Sequence, residues 1–74
     1  MNRVLMIKLT MSNNTGFGGE PIYISIAHIE AIRANDDGGS IVFVVGDNNA
    51  RYFVKESPES IMAMIEFAQR GMNV

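Results

Sequence analysis

The chain contains no cysteine, no tryptophan, two prolines and a single histidine. Without cysteine there is no disulfide framework and no thiolate zinc site, so two of the staples that hold small domains together are excluded. Charge is also sparse: 19% of residues are charged, and six Lys and Arg stand against eight Asp and Glu for a net charge of -2. The basic residues Arg3, Lys8, Arg33, Arg51, Lys55 and Arg70 are scattered along the chain. A phosphate-backbone binder needs clustered cations, so nucleic acid is not the expected partner. No apolar run approaches the length that crosses a bilayer, and the apolar stretch in MNRVLMIKL is too short for a signal-peptide core. A cytoplasmic location with no membrane span is the expectation.

What is abundant is apolar surface. At 74 residues the chain is one domain, and 47% of it is hydrophobic, with six methionines. A domain this small buries a limited share of its surface, so excess apolar area calls for a partner. With metal and disulfide staples excluded, self-association is the remaining one, and a homo-oligomer is expected.

Val4 to Met11 reads as a strand with apolar residues on both faces, as in a strand buried on both sides. Ser12 to Gly19 is a glycine- and asparagine-rich loop. Ile22, Ile24 and Ile26 alternate with Tyr23, Ser25 and Ala27, the pattern of a half-buried strand that begins at Pro21. Ile26, Ile29 and Ile32 recur every third residue while the neighbouring sequence argues for strand, so Ala27 to Ala34 is ambiguous. It is read as a turn at Ala27 and His28 before a strand from Ile29 to Arg33, with a one-turn helix as the alternative.

Asn35 to Gly39 is hairpin chemistry, and the β-branched and aromatic run Ile41 to Val45 has the composition of the most buried strand. Gly46-Asp47-Asn48-Asn49 turns into a strand from Arg51 to Lys55. Ser57-Pro58 is a helix start, Arg70-Gly71 a helix stop, and Ile61, Met64, Ile65 and Ala68 form one apolar stripe between them. The expected fold is α+β: a five-stranded antiparallel β-meander or small barrel-like sheet (strands within 3–56) with one C-terminal α-helix, about 58–70, on one face.

Residues able to carry chemistry are few. His28 has neither a second histidine nor a cysteine to share a metal with, and the ordinary role of a solvent-facing histidine outweighs catalysis. Asp36 and Asp37 beside two glycines suit a turn better than a calcium loop. Gly16, Gly18 and Gly19 follow a strand but lead into another strand, whereas phosphate cradles need a helix N-terminus. None of the serines sits in a nucleophile elbow, so no enzyme, cofactor or metal site is expected. Tyr23, Phe43, Tyr52 and Phe53 are the type that stacks on nucleobases, yet without a basic groove cross-strand packing is the stronger role.

Two functional readings remain. In the first, the chain is a non-enzymatic homo-oligomeric binding or adaptor protein, with Met62, Met64, Phe67 and Met72 as its interface. In the second, Gly16, Gly18, Gly19, Tyr23, His28, Arg33 and Arg51 meet a small anionic or nucleotide-like ligand at subunit boundaries, as suits a phage or mobile-element protein that sequesters a ligand or binds a host factor.

Four segments together resemble the FlbD/SwrD family of small flagellar and swarming-motility proteins. They are Met6-Ile7-Lys8-Leu9-Thr10, the Ile26-x-x-Ile29-x-x-Ile32 spacing, Ile41-Val42-Phe43-Val44 before a glycine turn, and Tyr52-x-Val54-Lys55-Glu56-Ser57 leading into Ile61 and Ile65. The last of these is the most specific to the family's pattern. The chain differs by residues 1–5 ahead of the first strand, a longer glycine loop, and no Pro-Asp-Thr turn at Asn35 to Gly39. The resemblance implies an accessory protein that acts near the flagellar motor through protein contacts.

Overall fold

Alternation of apolar and polar residues produces five strands, and the glycine- and asparagine-rich segments between them set where the chain reverses. The computed structural model describes residues 5–12, 16, 18–46 and 50–71. Its elements are β1 (Met6–Thr10), β2 (Pro21–Ser25), a single 3-10 turn (Ile26–His28), β3 (Ile29–Ala34), β4 (Ser40–Val44), β5 (Arg51–Val54) and helix α1 (Pro58–Gly71). Two antiparallel sheets result: β1 with β2, and β3-β4-β5 in that order.

The expected α+β class and C-terminal helix are present, but the strands form neither a single five-stranded meander nor a closed barrel. The reason lies between β2 and β3. A hairpin there needs a tight turn, whereas Ile26–His28 winds into a 3-10 turn that swings the chain away before β3 begins. Backbone bonds on either side of the turn then go to other strands: the Ile26 N–H donates to the Leu5 carbonyl (2.9 Å) and the Val45 N–H to that of His28 (2.8 Å). Among the described residues the sheets are joined by backbone bonds along a short seam. Met11 forms one bridge with Val54, flanked by Ser12 N–H to the Phe53 carbonyl (2.9 Å) and Lys55 N–H to the Thr10 carbonyl (2.8 Å).

The period of three in Ile26, Ile29 and Ile32 has two causes. From Ile26 to Ile29 the chain makes the 3-10 turn, which repeats every three residues. From Ile29 to Ile32 a β-bulge inserts an extra residue: Ile29 pairs with Val44 and Ala31 with Phe43, leaving Glu30 unpaired. All three isoleucines therefore reach the core.

That core comprises Ile7, Leu9, Ile24, Val42, Val54, Ile61 and Ile65. β1 contributes one face only. Met6 and Lys8 are exposed, so the expectation of a strand buried on both sides is corrected: no described element packs on that side of β1. β4 is the most buried strand, as its composition predicts, with Ser40 and Val42 fully buried and no exposed residue. α1 lies across both sheets, against β1 and β3, and inserts Ile61 and Ile65 between them.

The helix begins where the sequence signals it. The Ser57 hydroxyl oxygen accepts the Ser60 N–H (3.2 Å), and the Ile61 N–H donates to the Ser57 carbonyl (3.0 Å). Replacing Ser57 with Ala is expected to cost about 1 kcal/mol, the usual value of such a cap, read as a lower urea midpoint with an unchanged slope. Unchanged stability would show that the cap is idle. One residue upstream, Glu56 ties three elements together. Its carbonyl accepts the buried Ser40 hydroxyl (2.7 Å) and its carboxylate accepts the Thr10 N–H (2.9 Å).

Candidate functional site

The glycine loop is closed at its base by Met11 N–H to the Glu20 carbonyl (2.8 Å) and Gly19 N–H to the Met11 carbonyl (3.0 Å). Gly16, Gly18 and Gly19 are exposed, and Gly19 takes a positive φ of 84° that a side chain would strain. The loop joins two strands and fronts no helix N-terminus, so it has no row of helical N–H groups to offer a phosphate. Asn13 to Thr15 and Phe17 lie outside the described residues.

Asp36 and Asp37 serve the β3–β4 turn. The Gly38 N–H donates to the Asn35 carbonyl (3.1 Å), the Asp36 N–H to Asn35 Oδ1 (3.0 Å) and the Gly39 N–H to Asp37 Oδ1 (2.9 Å). The Asn35 and Asp37 side chains are thus used by the backbone of the turn, and Asp36 contributes its N–H. No group of His, Asp and Glu able to hold a metal exists among the described residues. His28 is exposed at the end of the 3-10 turn.

On α1, Met62 (54% exposed) and Phe67 (77%) project from the helix, while Met64 packs against the core. At 3.6 residues per turn, Met62 and Phe67 stand roughly 140° apart, on opposite flanks of the buried stripe. They do not merge into one patch. Met72 and the turn residues Asp47 to Asn49 lie outside the described residues. The helix's charged side carries Glu66 and Arg70, paired at 2.8 Å but exposed enough to add little stability.

The largest concentration of chemistry lies on the three-stranded sheet. Side chains of β4 alternate, so Ser40, Val42 and Val44 face the core and Ile41 and Phe43 face outward. Strand register then sets two outward rows, Ala31–Phe43–Arg51 and Arg33–Ile41–Phe53. Ile41, Phe43 and Phe53 are half-buried yet are not packed against the core, whereas Tyr52 points inward to it. Arg33 and Arg51 are exposed at opposite margins, and exposed Lys55 continues the outward alternation of β5. The two arginines expected at a ligand site thus share one face, while Tyr23 lies exposed on the other sheet, opposite Lys8.

No single-sequence signal marks this face. Arg33, Arg51 and Lys55 are scattered in sequence, and pairing of β3 and β5 to opposite sides of β4 brings them together. Comparison of the chain with protein-family models, with curated proteins and with solved structures finds no match. Among the described residues no helix is long and apolar enough to cross a membrane.

Proposed function

We propose that this protein is a small non-enzymatic binding or adaptor module that works as a homo-oligomer through protein contacts, with a motility accessory of the FlbD/SwrD kind as its specific role. The observation that carries the reading is Phe67, an aromatic ring 77% exposed on a helix whose buried stripe is already satisfied by Ile61 and Ile65. Exposed aromatics of this kind are favoured anchors of protein contacts because they bring large apolar area at little entropic cost. Ala63 and Gly71, also exposed, flank Phe67 within about 40° around the helix and leave room for a neighbouring surface to approach.

The test is the mass of the assembly by native mass spectrometry. A multimer that Phe67→Glu converts to monomers, with its circular dichroism unchanged, is the expected result. A wild-type chain that stays monomeric at tens of micromolar would overturn it.

A second reading is favoured by a different observation. Arg33 and Arg51 share the outward face of the three-stranded sheet, which supports capture of an anionic ligand there rather than at the glycine loop.

A further inference from the structure

We propose that the outward face of the β3-β4-β5 sheet binds single-stranded nucleic acid, the bases lying on Phe43 and Phe53 and the phosphates held by Arg33, Arg51 and Lys55. The inference rests on the anion-binding reading of this face and names its ligand class. Three observations carry it.

The first is charge segregation. The basic residues among the described ones are Lys8, Arg33, Arg51, Lys55 and Arg70; three of them lie on this face, and Arg70 is already paired with Glu66. No position in the two outward rows is acidic. Glu30, exposed and unpaired at the bulge, adjoins the first of those rows beside Ala31. A chain with a net charge of -2 thus presents a locally positive sheet surface, and local potential rather than net charge steers a polyanion.

The second is the placement of the rings. Phe43 and Phe53 sit on adjacent strands in successive rows, so they are diagonal neighbours, roughly 7 Å apart at Cβ. That offset lets each ring take one of two successive bases, and every base has a π-face to offer. An acidic peptide would match the cations but make no use of two ring faces.

The third is the span between the arginines. They lie on the outer strands, two strand spacings apart and one row out of step, which puts their Cα atoms about 12 Å from each other across the rings. Long guanidinium stems from both margins can therefore reach the backbone on either side of the stacked bases.

The full chain is titrated by fluorescence anisotropy against labelled 12-nucleotide oligothymidylate and oligouridylate. Three phosphate contacts predict a logarithmic salt slope near -2, so affinity should fall roughly twentyfold between 50 and 200 mM KCl. Arg33→Glu and Arg51→Glu together are expected to weaken binding tenfold or more. Phe43→Leu, which keeps apolar packing but removes the ring, should cost roughly fivefold or more. Glu30→Gln should tighten binding, and Arg70→Gln, on the helix, should leave it unchanged.

The proposal is overturned if neither oligonucleotide binds at 50 mM KCl, or if binding is indifferent to Arg33, Arg51 and Phe43. It is overturned equally if those substitutions change the mass of the assembly and not oligonucleotide affinity, which would make the face a contact between copies. A parallel titration with ATP separates the two levels. Arginine-dependent ATP binding without oligonucleotide binding sinks this proposal but keeps the anion reading, whereas binding of neither removes both.

Discussion

Gly39→Ala is expected to destabilise the protein by about 3 kcal/mol, a large part of the roughly 4–11 kcal/mol available to a domain of this size. Gly39 is buried at the β3–β4 turn, and a Cβ built there would collide with the Val54 carbonyl oxygen. That atom is backbone of β5 beside the seam to β1, so it cannot rotate aside as a flexible side chain would. Asp37 accepts the Gly39 N–H and holds the residue against β5. The comparison that isolates the effect is Gly38→Ala. Gly38 has a φ of 90° and open space around it, so alanine meets only backbone strain there, about 1 kcal/mol. Urea denaturation of both variants is the measurement, and equal losses would show that the close approach is not what Gly39 provides.

Ile61→Ala is the second substitution with a large expected effect, about 3–4 kcal/mol. Ile61 is fully buried and enters the core from α1, the element that touches both β1 and β3. Truncation removes transfer free energy and leaves a cavity between two sheets that share few other bonds. Neither sheet can collapse into that cavity without giving up register. Met62→Ala, one residue along and 54% exposed, should change stability by less than about 0.5 kcal/mol. If the two variants melt together, α1 does not bridge the sheets in solution.

Strand positions, turn chemistry and the helix were legible because each rests on local physics. Ser57-Pro58 and Arg70-Gly71 bracket α1, observed at Pro58–Gly71, and the stripe of Ile61, Met64, Ile65 and Ala68 is the side that turns inward. The division into two sheets was not legible. It depends on whether β2 and β3 pair, and three residues at Ile26–His28 decide that through a 3-10 turn whose isoleucine spacing the bulge at Glu30 then continues. β1 departs from the sequence expectation for a related reason: Met6 is apolar, but whether a second layer covers it is a property of the whole fold. The cationic face was invisible because residues 33, 51 and 55 become neighbours only once register is set. Arg33 and Arg51 do share one face, but the glycine loop that the sequence groups with them lies on another hairpin.

The segment Val54-Lys55-Glu56-Ser57 has structural work in this chain. Val54 is in the core, Glu56 joins β1 to β4 through its carboxylate and carbonyl, and Ser57 caps α1. The Lys55 side chain is the exception: it is exposed on the outward side of β5, and only its N–H serves the seam to β1.

The seam between Thr10–Ser12 and Phe53–Lys55 also orders events during synthesis. β1 leaves the ribosome more than forty residues ahead of the strand that bonds its far end and of the helix that covers Ile7 and Leu9. Until then β1 and β2 can form only a two-stranded hairpin, which is marginal in water. Closing so long a stretch of chain carries an entropic cost that is recovered when α1 docks, so until α1 arrives the nascent chain holds an apolar hairpin open to chaperones.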